Sequence, residues 1–370
     1  MKRHQSRAYA LMLVLFLFLL VTIVTAGLYS SYTEFTEDSD NQAPSTVVIA
    51  KGKDLRQLAG ELYTQGIIKD PASFVFWVRL YGNAGKIKAG EYAIPPYASP
   101  MMVMKIIISA ETVVRRVTFK EGMTSEQIIE ELLNAYGLEG DVQEIPPNGT
   151  LMPNTYHYSL GDTRQSIVKR MAESMQKKTA EIWEKRAKNL PFSTLEEAIT
   201  LASIVEKETS VASERPLIAS VFVNRLRKGM RLQSDPTVIY AITDGKYDLK
   251  RKLLYKDLRV SHPYNTYTNY GIPPSPICNP GSESIEAVLN PADTDYLYFV
   301  ANNKGGHSFS NNYRQHTNNV NKLRKKIKAK KDAAKTKNVQ EKAKKTEVKP
   351  VPGAQKNVYP EIKPKPEIVK

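Results

Sequence analysis

A chain of 370 residues with 41% hydrophobic content is long enough for two or three domains. Its single cysteine, Cys278, excludes an intramolecular disulfide. The formal charge of +15 would suggest a nucleic-acid binder if it lay on a folded face. It lies instead in the tail: Arg314 to Lys370 holds 18 Lys+Arg against 5 Asp+Glu, a balance of +13 that leaves +2 for the rest. No aromatic interrupts that lysine run before Tyr359, so no nucleic-acid partner is expected.

Residues 1–7 contain Lys2, Arg3 and Arg7 and no acid, and residues 8–29 contain no charge at all. An apolar run of this length spans a bilayer core as a helix. It is longer than the roughly 7–15 residues of a signal-peptide core, and no A-x-A-like site follows. An uncleaved single-pass anchor is expected. Its flanking positive charge puts the N-terminus in the cytoplasm and the remainder outside, in the periplasm or its equivalent. Residues 30–45 are polar and acidic and read as a linker.

Residues 46–112 read as a strand over Thr46–Ala50, helices over Leu55–Gly66 and Ala72–Tyr81, a strand over Ala89–Ile94 and a helix over Met101–Ser109. This β-α-α-β order resembles, in pattern, the small peptidoglycan-binding LysM fold. From Val113 to Leu138 the layout partly recurs. VVIAKGKDLRQLAGELYTQGI and RVTFKEGMTSEQIIEELLNAYGL each offer a strand, a Lys and Gly turn, and an amphipathic helix. Two copies are too few for a solenoid.

A turn and strand over Gly149–Tyr158 and a charged amphipathic helix over Gln165–Arg186 lead into STLEEAITLASIVEKET, from Ser193 to Thr209. Ser193 followed by Glu196 predicts a capping box. Leu195, Ala198, Ile199, Ala202 and Val205 form one apolar stripe at helical spacing. Glu206 projects roughly 40° from Ala202, inside that stripe, whereas Glu208 projects roughly 120° to the other side. Leu201 and Ile204 add a second apolar flank. Burial raises a carboxyl pKa, and a carboxylic acid that keeps its proton near neutral pH serves as a general acid. The competing reading is a Glu at the stripe edge paired with a Lys or Arg.

A helix over Glu214–Lys228 follows, then GMRLQSDPTVIY and YNTYTNYGIPPSPICNPG, the latter too rich in Pro, Gly and Asn for regular structure. Ser284–Leu289 reads as a helix, Tyr296–Ala301 as a buried strand, and Gly305-Gly306-His307 as a turn before another strand.

LASIVEKET, NRLRKGMRLQSDPTVIY, YNTYTNYGIPPSPICNPG and YFVANNKGGHSFSNNYRQH occur in this order. With them the sequence closely resembles the endolytic murein transglycosylase (YceG-like) family over roughly Val47 to Leu323. The resemblance implies an α+β protein of the inner (cytoplasmic) membrane. It implies a LysM-like subdomain (46–112), a mixed α/β catalytic domain (113–323) and cleavage of nascent peptidoglycan glycan strands within the chain. It also implies association with glycan-polymerising penicillin-binding proteins. The family's catalytic glutamate falls on Glu206, the residue the helical wheel selects. Where the family has an EG…PDTY element this chain has NGTLMPNTY, with Asn148 and Asn154 in place of acids, so that loop receives no catalytic role.

Hydrolytic glycosidases use two carboxylates. Beside Glu206 the sequence offers no second acid of equal standing, since Glu208 points elsewhere and Asp235 lies in another segment. A lytic transglycosylase needs no water, because the 6-hydroxyl of the muramic sugar attacks its own anomeric carbon, and one carboxyl can serve both proton transfers. Intramolecular attack also brings a high effective molarity. Tyr264, Tyr267 and Tyr270 are candidates to stack on sugars. Gln233, Ser234, Asp235 and Asn265 are candidates to bond to hydroxyl and N-acetyl groups, with turn chemistry as the alternative for each. His307 and His316 lack metal-ligand spacing, so no metal or cofactor is expected. Residues 324–370 are Lys-rich and then Pro-rich, and are expected to be a basic disordered tail.

Overall fold

The computed structural model describes residues 2–346. The chain divides into two compact units, Met1–Thr294 and Asp295–Lys370, a division the sequence reading does not make.

The first unit begins with α1 (Lys2–Thr36), within which Tyr9–Thr36 is long and apolar enough to cross a membrane. The helix runs past Tyr29 into the stretch expected to be linker. Tyr32 and Phe35, the two large apolar residues there, explain why. Phe35 is buried and packs on Phe74, Trp77 and Tyr81, and Trp77 Nε1 donates to Ser31 Oγ at 3.0 Å.

Next come β1 (Ser45–Ile49), α2 (Leu55–Thr64), α3 (Pro71–Leu80), β2 (Gly90–Ile94) and α4 (Pro100–Ser109). Strands β1 and β2 pair antiparallel with Val47 opposite Tyr92. Alternation puts Val47 and Ile49 inward and Thr46 and Val48 outward. Asp54 and Gln57 close a capping box on α2, and proline occupies the first turn of α3 and of α4, where its missing N–H costs nothing. Leu58, Leu62, Phe74, Val78, Tyr92 and Ile107 fill this core.

A second core forms around β3 (Arg115–Thr118), α5 (Ser125–Asn134), β4 (Thr155–Tyr158) and α6 (Arg164–Glu184), with Phe119, Ile128, Leu132, Leu151, Ile167 and Met171 inside. Strands β3 and β4 pair antiparallel, Val117 opposite Tyr156. The two strand-helix units predicted from the sequence are both present. Arg115 joins their neighbourhoods, donating to both carboxylate oxygens of buried Glu91 at 2.6 and 2.9 Å.

The remainder of this unit is helical: α7 (Leu195–Glu208), α8 (Arg215–Arg227), α9 (Asp235–Thr243) and α10 (Ser282–Leu289). Helix α7 packs against α8, α9 and α10, so it has partners on several sides. Leu201, Ala202, Ser203, Ile204 and Val205 are consecutive and all fully buried. Each of the large apolar ones contributes about 1.5–3 kcal/mol.

The second unit is a hairpin, β5 (Tyr298–Ala301) and β6 (His307–Ser310), with α11 (Tyr313–Thr346) packed on both strands. The strand expected over Tyr296–Ala301 is half-buried rather than buried, as suits a two-stranded ribbon covered by one helix. His307 meets Phe299 edge-on and His316 stacks on Tyr298. Helix α11 continues past Leu323, where the sequence reading ends the fold. Its Lys, Ala and Gln residues are good helix formers, and no proline occurs between Pro291 and Pro350. The rest of the expected tail, residues 347–370, lies outside the described residues.

Candidate active site

The cap of α7 sits one residue later than the sequence suggests. Thr194, in extended backbone, accepts from Glu197 N–H at 3.2 Å, and Glu197 Oε2 accepts from the N–H of Ser193 at 2.8 Å and of Thr194 at 3.1 Å. Those two amides hold the Glu197 carboxyl below its ordinary range.

At the other end of α7, the side chain of Glu206 is 6% exposed. Its Oε2 accepts from Gly281 N–H at 3.0 Å, at the N-cap of α10, where the helix dipole favours negative charge. Its Oε1 lies 3.4 Å from Arg215 Nη2 at the start of α8. Of the two readings left open for this residue, a partnered carboxyl is what the structure contains. The partner, however, is shared. The same Nη2 donates to Glu121 Oε2 at 3.0 Å, and Nη1 donates to Glu283. Arg215 is itself 7% exposed, and its Nε is buried without a hydrogen-bond partner. Burial, followed by the charge of Glu206, pushes the Glu121 carboxyl above its ordinary range, against the opposing pull of Arg215.

One buried residue assembles this constellation. Asn279 is fully enclosed; its Oδ1 accepts from Gly149 N–H at 2.9 Å and Leu151 N–H at 3.0 Å. Its Nδ2 donates to Met123 O at 3.2 Å and Ser125 Oγ at 3.1 Å, and its carbonyl accepts from Gly122 N–H at 3.0 Å. Three loops are thereby fastened beside the last turn of α7. Lys207 Nζ adds a bond to Gly122 O at 3.2 Å. Gly122 has φ +79, a conformation that favours glycine. A Cβ on Gly281 would stand 1.8 Å from Glu121 Oε1.

Ser203 ties the Pro-rich loop to α7: its Oγ accepts from Ile277 N–H at 3.0 Å and its carbonyl accepts from Cys278 Sγ at 3.3 Å. Burial pushes the Cys278 thiol far up, so it stays protonated and serves packing.

Most of the binding residues expected from the sequence gather on the other side of α7, around Glu208. Ser234 Oγ donates to Glu208 Oε1 at 2.5 Å, and Tyr267 Oη donates to Asp235 Oδ1 at 2.6 Å. Desolvation pushes the Glu208 carboxyl up to about 7, with the Asp235 charge adding to it and the Ser234 hydroxyl opposing it. Burial and then Asp235 push the Tyr267 phenol up. Exposed Gln233 sits at φ +52, donates its N–H to Thr266 O at 3.1 Å and accepts from Arg225 at 3.5 Å. Tyr264 is half-buried, its hydroxyl bonded to Ser275 Oγ and its ring centroid 4.7 Å from that of Tyr240. Tyr270 is exposed beneath the Arg231 guanidinium.

Ser234 and Asn265, read as sugar-binding, are buried with their polar atoms committed inside the fold. Asn265 Nδ2 donates to Val260 O at 2.8 Å and Leu258 O at 3.2 Å, and its Oδ1 accepts from Tyr267 N–H at 2.9 Å. Both residues position their neighbours. Asn148 accepts from Ser125 N–H at 2.8 Å and donates to Tyr240 Oη at 3.2 Å. The sequence reading missed Glu121, Arg215, Asn279 and Glu283. The one available signal was that Glu121 stands in the KEGM turn of the second strand-helix unit, beside a glycine.

The model of the YceG-like family matches residues 47–322. The chain belongs to the YceG-like family. It is 31% identical over 311 residues to the endolytic murein transglycosylase of Bacillus subtilis (strain 168), spanning 75% of this chain and 84% of that protein. It is 29% identical over 366 residues to the endolytic murein transglycosylase of Streptococcus pneumoniae serotype 2 (strain D39), spanning 85% of this chain and 65% of that protein. A crystal structure of a yceG-like protein from Listeria monocytogenes covers 74% of this YceG-like chain at 31% identity, with a TM-score of 0.46.

Proposed function

We propose that this protein is a membrane-anchored endolytic lytic transglycosylase that cleaves the MurNAc–GlcNAc bond within nascent peptidoglycan strands and leaves 1,6-anhydro-MurNAc ends. The observation that carries this reading is the seat of Glu206. A nearly enclosed carboxyl at the end of α7 is held in one place by a helix-end amide and by an arginine that it shares with other acids. In the reaction the bond from the muramic C1 to the linking oxygen breaks and that oxygen takes a proton. The 6-hydroxyl oxygen bonds to C1 and releases its own proton, and no water is consumed. Glu206 is the carboxyl assigned to these transfers, which contribute about 10²–10⁴ in rate. The exposed edges of Gln233, Asp235, Tyr264, Tyr267 and Tyr270 are assigned to the glycan. The strand-helix-helix-strand unit of β1, α2, α3 and β2 is assigned a LysM-like role in holding the strand. Helix α1 is read as a single-pass anchor in the inner membrane, with Lys2, Arg3 and Arg7 in the cytoplasm, the catalytic part in the periplasm and glycan-polymerising penicillin-binding proteins as partners.

A second reading makes Glu208 the acid, because its carboxyl is pushed up to about 7, near the optimum for a general acid. A third is a non-catalytic scaffold that binds peptidoglycan. Mass spectrometry of purified uncrosslinked glycan strands after incubation with the full chain in detergent separates all three. Anhydro ends that vanish in Glu206→Gln and persist in Glu208→Gln support the proposal. The opposite pattern selects Glu208, reducing ends indicate a hydrolase, and uncut strands indicate a scaffold.

A further inference from the structure

Helix α3 has an apolar face that the fold leaves uncovered, and its attachment to α1 fixes what that face meets. The uncharged run of α1 ends at Tyr29, and the helix continues to Thr36. About 20 of the uncharged residues fill a bilayer core of about 30 Å, so the headgroup layer, about 5–8 Å thick, begins beside Tyr29. At about 1.5 Å per residue, Ser31 to Phe35 lie roughly 3–9 Å beyond Tyr29, at the level of that layer. Tyr29 and Tyr32 are exposed there, as suits residues that settle at membrane interfaces.

Helix α3 is fastened at this level. Ser73 Oγ shares a hydrogen bond of 2.8 Å with Ser31 Oγ, and Trp77 Nε1 donates to Ser31 Oγ at 3.0 Å. The Trp77 ring lies 5.1 Å from that of Tyr32, and Tyr81 stacks on Phe35 at 6.2 Å. About 12 Å of α3, from Ser73 to Tyr81, thus meets only about 6 Å of α1, from Ser31 to Phe35. Helix α3 therefore lies across α1 rather than along it. Where α1 stands upright in a bilayer, α3 lies along the surface.

We propose that the outer face of α3 docks on the membrane from which α1 emerges, with Phe76 and Leu80 entering the leaflet and Arg56 and Arg79 binding the phosphates of anionic phospholipids. The inference rests on the reading of α1 as a membrane anchor. Phe76 and Leu80 stand one turn apart, roughly 60–100° around α3 from Trp77, so they flank the contact that holds α3 to α1. They are 45% and 64% exposed, and Phe76 meets Trp77 edge-on at 5.2 Å. With Ala59 and Val75 they line a groove of about 770 Å³ that also carries Arg56 and Arg79 and no acid. Both arginines are exposed, and among the described residues neither makes an ion pair. The acids near the end of α1, Glu34, Glu37, Asp38 and Asp40, line a different cavity, beside Ile67 and Lys69. A helix with this division binds a bilayer surface, its apolar side chains at the acyl boundary and its cations on the headgroups. A protein partner of this face would have to enter the headgroup layer, whereas lipid is already there. Docking gives the unit of β1 to α4 a second point of attachment, which holds it in one orientation against the surface as a single spanning helix does not.

The test is fluorescence quenching of the full chain reconstituted in phospholipid vesicles, with a thiol-reactive dye placed in turn by Leu19→Cys, Phe76→Cys and Leu80→Cys. Cys278 is buried with its thiol protonated, so it does not compete for the dye. Phosphatidylcholine brominated near the top of its acyl chains quenches a dye that reaches the acyl boundary, and iodide quenches one that faces water. Expected are quenching at position 19 and about a twofold loss of emission at positions 76 and 80, with shielding from iodide at all three. Quenching at 76 and 80 should grow when phosphatidylglycerol is added, and Arg56→Glu with Arg79→Glu should abolish that growth. These side chains are exposed, so melting of every variant should match wild type. The proposal is overturned if the dyes at 76 and 80 keep their emission while that at 19 is quenched, or if anionic lipid and the charge reversals change nothing. Shielding from iodide without quenching by bromine shows a second copy or another protein on this face, and equally overturns it. An unquenched dye at position 19 sinks the reading of α1 as an anchor instead, a distinguishable result.

Discussion

Replacing Glu208 by Gln tests the electrostatics of α7 directly, and the sign follows from the carboxyl's raised pKa. Its ordinary value of 4.5 moves to about 7 in the folded chain, mainly through desolvation. Below pH 4.5 the group is protonated whether the chain is folded or not, and it costs nothing. Between 4.5 and 7 the unfolded chain releases the proton while the folded chain keeps it, so stability declines as pH rises. Above 7 the ionised, desolvated form carries the full penalty. At about 1.4 kcal/mol for each pH unit the penalty is roughly 3 kcal/mol. Gln carries no charge, and its side-chain oxygen can still accept the hydroxyl of Ser234, which bonds Glu208 at 2.5 Å. The variant is therefore expected to match wild type at pH 4 and to exceed it by up to about 3 kcal/mol at pH 8, or about 6–12 °C in melting temperature for a unit of this size. Thermal melting by circular dichroism of the full chain in detergent at pH 4, 6 and 8 reads the difference directly. A Gln variant that melts lower than wild type at pH 8, or a difference that does not change with pH, refutes the reasoning.

Glu206→Gln is expected to fold and to lose two or more orders of magnitude in anhydro-end formation, read by mass spectrometry; wild-type rates in that variant contradict the assignment. Gly281→Ala keeps an ordinary backbone but drives a methyl into Glu121, where a Cβ would stand 1.8 Å from Oε1. Cleavage should fall at least tenfold with only a small change in melting, and an unaffected rate means that the contact is irrelevant. Asn279→Ala strands the buried amides of Gly149 and Leu151, so denaturant unfolding should show a loss of about 2–5 kcal/mol; a loss below about 1 kcal/mol removes it as the fastener of these loops. Truncation after Lys331 removes part of α11 and everything beyond it, and should leave melting and glycan cleavage nearly unchanged; loss of either makes that segment part of the working fold.

Elements with a one-sided environment were legible in the sequence. Helices α2 and α5 each bury one stripe and begin at a side-chain cap; both were expected, and α2 starts at Leu55 as the sequence reading placed it. The N-terminal apolar helix was legible from its uncharged run, yet its C-terminal end was not. Phe35 and Tyr32 continue the helix by packing against Trp77, a contact between residues more than forty positions apart. The sequence singled out Glu206 because chemistry and periodicity coincide there, and the assignment remains a proposal. Glu121, Arg215 and Glu283 come from three separate segments, and what brings them together is the hydrogen-bonding of Asn279 and the close approach permitted by Gly281, neither of which leaves a periodic trace. That Ser234 and Asn265 are buried and bonded within the fold was not legible, because residue type alone cannot say whether a polar atom faces a ligand or the loop that carries it.

The two glutamates of IVEKE show why a helical wheel reaches its limit on a central helix. The wheel places Glu206 on the core stripe and Glu208 away from it, and from this the sequence reading gave a raised pKa to the first alone. That inference holds only for a helix with a solvent face. Helix α7 has α8, α9 and α10 around it, so moving off one buried stripe leads to another packed surface rather than to water. Glu208 accordingly meets Ser234 and suffers desolvation, whereas Glu206 meets Gly281 N–H and the guanidinium of Arg215. What separates the two is therefore not depth of burial but the partners waiting on each side. Glu206 faces donors that it must share with other carboxylates, on the side where Gly122 and Gly281 keep the backbone close. Glu208 faces one hydroxyl and a neighbouring acid. The carboxyl of Glu208 is thus governed by desolvation, that of Glu206 by the hydrogen bonds that hold it.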